Sequence, residues 1–210
     1  MENVRTINKQ LVVEKALNLF IESGIEHTKI KDIAKAAKLT ERSIYRYFDT
    51  KADIVQAAAY LFYEYTTKRV YEEFLTEHIK SMSGIEQIRV LLYKYGDLYF
   101  FSPKGVKFTL EAEVYLFNEG KKYQVLNKPP ERFEASNSPL VMAIKNGLKD
   151  GTVSDKVDVR MLYYNAYESI LGVMQKMEYG SDWLLEASLE EKKDRMKQLC
   201  DVFVKAFQGN

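Results

Sequence analysis

Little in this sequence invites chemistry on a substrate. Its 210 residues hold one cysteine, Cys200, two histidines, His27 and His78, and four prolines. A single thiol excludes an internal disulfide framework and suits a reducing cytoplasm, where the chain is expected to work. Neither histidine stands at metal-ligand spacing from another ligand type, and no phosphate-cradling glycine loop or nucleophile elbow occurs. His27, beside a turn, and His78, at a helix end, read as surface residues. Cys200, beside Leu199 and near Phe203, reads as a buried, inert thiol. No enzyme, no cofactor and no metal are therefore expected. Long apolar runs are missing too. No stretch reaches the roughly 18 residues that a membrane span needs, and MENVRTINKQ at the start lacks the apolar centre of a signal peptide. No membrane partner is expected. Charge of one sign is also lacking, since 31 basic residues face 30 acidic ones for a net +1. Any binding of nucleic acid must come from a local patch.

Such a patch is present. Thr28 to Lys51 carries Lys29, Lys31, Lys35, Lys38, Arg42, Arg46 and Lys51 against Asp32, Glu41 and Asp49, a local excess of four positive charges. The segment reads as two short helices and a tight turn. Thr28 is a candidate N-cap, after which Ile30, Ile33, Ala34 and Ala37 recur on one helical face. Lys38-Leu39-Thr40 breaks the run. Thr40 caps a second helix that turns Ile44, Phe48 and part of Tyr45 inward and Glu41, Arg42, Ser43, Arg46 and Tyr47 outward. Thr50 with Asp53 forms a capping box, which starts a third helix at Lys51. Two short helices with a basic outward face are what a helix-turn-helix on a phosphate backbone requires.

The same residues carry a family resemblance. Thr28, Ile33, Ala34, Ala37, Leu39, Thr40, Ile44, Tyr45, Tyr47, Phe48, Lys51 and Ile54 resemble the DNA-binding signature of TetR-type transcriptional regulators over about the first 55 residues. Two departures stand out. Lys38 occupies the turn where the family usually has glycine, and Arg42 stands where a small residue is common. A side chain at positive φ costs roughly 1 kcal/mol, so the turn is expected to differ slightly. From geometry and resemblance together, the DNA-contacting set is Thr28, Lys29, Thr40, Arg42, Ser43, Tyr45, Arg46, Tyr47 and Lys51. Arg42 is placed for a bidentate contact to guanine, and Ser43 for a base or a phosphate. Tyr45 and Tyr47 suit phosphate or a thymine methyl. Thr28 and Lys51 lie where helix N-termini meet phosphates.

The rest of the chain reads as helical throughout. Residues 1–7 look like a loose arm, and a helix is expected from Asn8 to about Ser23, ended by Gly24. A long helix follows from Lys51 to about Glu77, then one from Ile85 to about Phe101. The stretch GVKFTLEAEVYLFNEG suggests a short helix followed by a longer one. Lys121 to Ser138 is the most loop-like part, although Tyr123 to Leu126 is compatible with helix. A helix over 139–149 closes at Asp150-Gly151. Lys156 to Met177 carries two apolar stripes, one with Val159, Leu162, Tyr163, Ala166, Ile170, Val173 and Met177, the other with Tyr164, Tyr167, Leu171 and Met174. Asp182 and Trp183 fall in a loop before a last helix, Leu189 to Phe207. A helix apolar on two sides must bury both, so the last two helices are expected to pair with those of a second copy, as the resemblance also implies.

The expected fold is all-α: an N-terminal three-helix DNA-binding domain over 1–50, then a helical ligand-binding and dimerisation domain over 51–210. Fifteen tyrosines are the unusual count, and thirteen lie beyond residue 51. Most suit a core, but many buried hydroxyls need partners, and a polar-lined cavity supplies them. The ligand-contacting candidates are Tyr65, Tyr95, Tyr99, Phe100, Phe108, Glu111, Tyr115 and Tyr167. Glu111 and Glu113 among aromatics would suit a cation, while a solvated helix face is the plainer reading of both. The resemblance implies a homodimeric repressor on a palindromic double-stranded operator, released by a small-molecule effector. The alternative is an architectural or protein-regulated DNA-binding factor with no small-molecule effector.

Overall fold

In a computed structural model, residues 4–74, 76–121, 133, 138–179 and 187–209 are described. Among them the chain is helical and contains no strand. The helices are α1 (Val4–Ser23), α2 (Ile30–Ala36), α3 (Glu41–Ile44), α4 (Lys51–Phe74), α5 (Glu77–Lys80), α6 (Gly84–Phe101), α7 (Pro103–Asn118), α8 (Pro139–Asp150), α9 (Val159–Tyr179) and α10 (Leu189–Gln208). The chain divides into two compact units. Unit 1 is Met1–Tyr65 with Lys104–Lys128, and unit 2 is Thr66–Pro103 with Pro129–Asn210.

Unit 1 is built around one apolar cluster. Helix α1 supplies Val12, Val13, Ala16, Leu17 and Phe20, spaced to fall on one face. Gly24 ends it at φ 82°, donating to the Phe20 carbonyl at 2.9 Å. Ile33, Ala34, Ile44 and Phe48 face the same core, and so do Ile54, Val55, Ala58 and Leu61 of α4. Three short helices bury too little surface to stand alone. Helix α7 makes up the deficit with Phe108, Ala112 and Leu116. The Phe108 ring stacks on Phe20, with centroids 6.0 Å apart, and meets Phe62 edge-on at 6.1 Å.

Unit 2 is held by close backbone approach. A Cβ on Gly84 would lie 2.0 Å from the Gly147 nitrogen, so α6 and α8 touch through their main chains. The first turn of α6 is capped from α8 and the turn after it. Asp150 Oδ2 accepts from Gly84 N at 2.7 Å, and Thr152 Oγ1 accepts from Ile85 N at 3.1 Å. The Thr152 hydroxyl and the Gly84 N–H hold the Asp150 carboxyl below its usual range. Buried Gln87 is satisfied by the Met82 carbonyl and by Asn146, each at 2.9 Å. Gly96 gives Met196 of α10 its room, and the Cys200 thiol donates to the Leu92 carbonyl at 3.4 Å. Burial pushes that thiol up to about 12, so it is inert, as read from its neighbours.

Four expectations shift. Helix α1 begins at Val4 rather than Asn8, because its first turn is anchored on the segment after α3. Helix α7 is a single helix rather than two. The long helix from Lys51 stops at Phe74, before the short α5. On α9 the inward stripe is Tyr163, Ala166, Ile170, Met174 and Met177, which moves Met174 to the core and leaves Val173 half-exposed. The expected helical turn at Tyr123 to Leu126 and the pair Asp182 and Trp183 lie outside the described residues.

Candidate nucleic-acid interface

Helix α2 starts at Ile30, and its cap differs from the expectation. Lys29 N donates to Asp32 Oδ2 at 3.0 Å, so a side chain reaching back from the first turn satisfies the helix start. Thr28 is buried, and its hydroxyl donates to the Gly24 carbonyl at 2.8 Å. It closes the end of α1 instead of capping α2. The turn that follows keeps the backbone conformation of a glycine turn, although it was expected to differ slightly. Lys38 sits at φ 55°, alone among the described non-glycine residues in the left-handed region. Leu39 N donates to the Ala34 carbonyl at 2.9 Å and holds the turn closed.

Thr40 caps α3 as the sequence suggests. Its Oγ1 accepts from Ser43 N at 3.2 Å and lies 3.0 Å from the Ser43 hydroxyl. Helical bonds continue past Ile44, since Tyr45 N reaches the Glu41 carbonyl and Phe48 N the Ile44 carbonyl. Ile44 and Phe48 are therefore buried, while Arg42, Tyr45 and Arg46 face solvent. Tyr45, expected to face partly inward, is instead 53% exposed, because Ile44 and Phe48 take the inward positions. The Arg46 guanidinium donates to the Ser43 hydroxyl at 3.3 Å, so Thr40, Ser43 and Arg46 form one polar string along the face. Thr40, Arg42, Ser43, Tyr45, Arg46 and Tyr47 lie on α3 and its continuation, with Ser43 and Tyr47 half-buried, while Lys29 is exposed at the start of α2.

Lys51 is placed otherwise than its charge suggested. Its ammonium donates to the Ile25 carbonyl at 2.5 Å and lies 5.3 Å from the centre of the Tyr115 ring. Burial lowers its pKa, and the charges of Glu26 and Glu119 partly offset that. The side chain ties the α1–α2 loop to α4 and α7. Glu111 of α7 works on the same peptide, accepting from Ile25 N at 3.3 Å. Two further pairs reinforce this seam, Lys104 with Glu22 at 2.7 Å and Lys121 with Asp53. Asp53 also accepts from Thr50 N at 2.8 Å, and Thr50 Oγ1 accepts from Asp53 N, the expected capping box. Burial would raise the Asp53 pKa, but hydrogen bonds from Lys121 and Thr50 outweigh it and hold it below the usual range.

The residues proposed to touch a ligand fall into both units. In unit 1, Phe108 is fully buried, Tyr65 is exposed, and Glu111 and Tyr115 belong to the seam just described. Burial raises the Tyr115 pKa, aided by the charges of Glu119 and Glu26. In unit 2, the Tyr95 and Tyr167 rings lie 4.6 Å apart, and Tyr163 continues the array 5.1 Å from Tyr167. Tyr99 is buried against Phe100 and donates to the Met177 carbonyl at 3.3 Å. No group of His, Cys, Asp and Glu among the described residues could hold a metal. No described helix is long and apolar enough to cross a membrane.

Sequence reasoning missed the first turn of α1. The Arg5 guanidinium donates to the Arg46 carbonyl at 3.4 Å, Asn8 donates to the Tyr47 phenol oxygen at 3.3 Å, and the Lys9 ammonium lies 5.3 Å from the Phe48 ring centre. The spacing of Arg5, Asn8 and Lys9 on one helical face was the available signal, once that face was known to be helical.

Residues 12–58 match the family described as bacterial regulatory proteins, tetR family. The whole chain is similar to the biofilm operon icaADBC HTH-type negative transcriptional regulator IcaR of Staphylococcus aureus, at 22% identity over 94% of this chain and 99% of that one. The fold is shared with a TetR-family transcriptional regulator from Mesorhizobium loti, at TM-score 0.66 and 14% identity over 99% and 98% of the two chains. It is shared too with RolR in complex with resorcinol, at TM-score 0.64 and 16% identity over 97% and 88%.

Proposed function

We propose that this chain, a DNA-binding transcriptional regulator that belongs to the tetR family, is a ligand-responsive repressor that grips a palindromic operator as a homodimer. The observation that carries this reading is the outward face of α3. Arg42, Tyr45 and Arg46 stand exposed on a helix whose other side is buried at Ile44 and Phe48. The Arg42 guanidinium has the fork geometry that reads guanine, and Arg46, which donates to the Ser43 hydroxyl, has the same fork for phosphate. Lys29, Thr40, Ser43 and Tyr47 complete the contact surface. Thr28 and Lys51 serve it from within, by fixing the ends of α1 and α4, and the Lys51 backbone N–H remains available to a phosphate. The division by role is residues 1–50 for reading DNA and 51–210 for regulation and pairing.

A dimer follows from the apolar faces left on the last two helices. Leu162, Leu171 and Val173 of α9 are half-exposed, as are Leu199 and Phe203 of α10, and Val202 is 60% exposed. Two such faces packed about a two-fold axis make an antiparallel four-helix interface. Half-sites then lie about one DNA turn apart or a little more. The effector is a small molecule of unknown identity. In unit 2 the aromatic groups offered to it are the Tyr95–Tyr167 pair, Tyr99 and Phe100, while in unit 1 Glu111 and Tyr115 belong to the seam that an effector would disturb and Tyr65 is an exposed candidate. Phe108 acts through packing. RolR, whose structure holds resorcinol, is a relative in fold with an aromatic ligand. The effector must favour the conformation with the wrong half-site spacing.

The test is anisotropy with fluorescein-labelled duplexes from the DNA upstream of its own gene, in wild type and Arg42→Ala. The variant is expected to lose roughly 1–3 kcal/mol and to relax at one base position. Unchanged affinity and preference would remove Arg42 from the reading set.

A further inference from the structure

Three consecutive residues after α3 are each met by a side chain from the first turns of α1. Arg5 reaches the Arg46 carbonyl, Asn8 the Tyr47 phenol and Lys9 the Phe48 ring. The Arg5 and Lys9 contacts end on a main-chain carbonyl and on a buried ring. Asn8 differs, because its amide ends on the one polar atom of a side chain in the proposed DNA surface.

We infer that Asn8 is a positioning residue for operator binding, aiming the Tyr47 hydroxyl at the phosphate backbone. The inference rests on the reading that Tyr47 contacts DNA. A phenol has one proton, which prefers the ring plane and so points to one of two sides. The Asn8 amide nitrogen sits 3.3 Å from the Tyr47 oxygen and donates into it. With a donor on that side, the proton turns to the other, where it is free to be given to an acceptor. Accepting one hydrogen bond also strengthens the donation of the next. The Tyr47 ring is half-buried against the unit 1 core, so the phenol cannot swing away to find another partner. A phosphate oxygen is an acceptor only, and a phenol with its proton already directed outward meets it without reorganisation.

The experiment is a double-mutant cycle in DNA affinity. A duplex is first selected by the wild-type protein from a randomised library, then labelled with fluorescein. Anisotropy gives its Kd with wild type, Asn8→Ala, Tyr47→Phe and the double variant, each checked by thermal melting. Asn8→Ala is a sound probe, because alanine is the better helix former at this half-buried position of α1. Tyr47→Phe is expected to weaken binding roughly tenfold, the effect of a lost charge-assisted hydrogen bond. Asn8→Ala is expected to weaken it by several-fold in the wild-type background and by nothing in the Tyr47→Phe background. The slope of log Kd against log salt should not change in either, since a neutral phenol releases no counterion. Asn8→Ala with unchanged affinity, beside a weakened Tyr47→Phe, overturns the positioning role. An equal loss from Asn8→Ala in both backgrounds also overturns it and makes the residue structural. Tyr47→Phe with unchanged affinity overturns the underlying reading of Tyr47 instead.

Discussion

Unit 1 borders its apolar cluster with charged side chains that tie α4 and α7 to the α1–α2 loop, whereas α6 and α8 of unit 2 add direct glycine contact to their polar caps. In unit 1, Lys51 and Glu111 hold the carbonyl and the N–H of the single residue Ile25, and Lys104 and Lys121 add ion pairs beside them. In unit 2, Gly84 and Gly147 bring two main chains into contact, and Gly96 admits Met196. The two solutions differ in what they tolerate. A side-chain hydrogen bond contributes about 1 kcal/mol and re-forms after a small shift. A backbone contact at van der Waals distance has no slack. The polar seam is therefore the adjustable element, and it lies directly behind the loop that leads into α2.

That contrast can be broken most severely at its packed centres. Phe108→Ala should cost unit 1 about 3–5 kcal/mol, because it empties the space between Phe20 and Phe62. Urea denaturation followed by tryptophan-independent far-UV dichroism would read it. Gly84→Ala should cost unit 2 about 3 kcal/mol, since the new methyl would meet the Gly147 backbone, which cannot rotate away. A Gly84→Ala protein as stable as wild type would mean that the α6–α8 contact has the slack denied to it above.

The seam should respond less. Glu111→Ala is expected to lose about 1 kcal/mol of stability, the cost of leaving Ile25 N without its acceptor. The same variant should change DNA affinity, although Glu111 is not on the DNA-facing surface. A stability loss with no change in affinity would reduce the seam to scaffolding. Smallest is the effect of acid. Asp53 in unit 1 and Asp150 in unit 2 both have folded pKa values held below the usual carboxylate range. Their contribution is present above about pH 4 and is lost as pH falls through the depressed values. Asp53→Asn and Asp150→Asn should each flatten the acid side of a pH–stability curve and leave the alkaline side alone.

The reader was legible in sequence because its residues are close together and chemically distinctive. Thr40 as cap, Ile44 and Phe48 inward, and the Thr50–Asp53 box all follow from spacing within a few residues. The turn at Lys38 was expected to differ slightly, yet it keeps the left-handed conformation that glycine would adopt there. The place of Lys51 at a helix start was legible, but its ammonium's partner, a carbonyl 26 residues away, was not. Glu111 finds Ile25 across 86 residues, and no periodicity carries that information. The glycine crossing of unit 2 was hidden for the same reason. A tyrosine count cannot say which rings meet, so the eight ligand candidates came out as members of two separate units, with Phe108 in a core.

The most direct test of the account is a salt titration of DNA binding, with wild type and Arg42→Ala compared on the upstream duplex and on a scrambled duplex of equal length. The account predicts tight, sequence-selective binding by wild type and a steep negative slope of log affinity against log salt. It predicts that Arg42→Ala narrows the gap between the two duplexes. Equal, weak binding of both duplexes by wild type, at every salt concentration and also on genome-selected DNA, would contradict it.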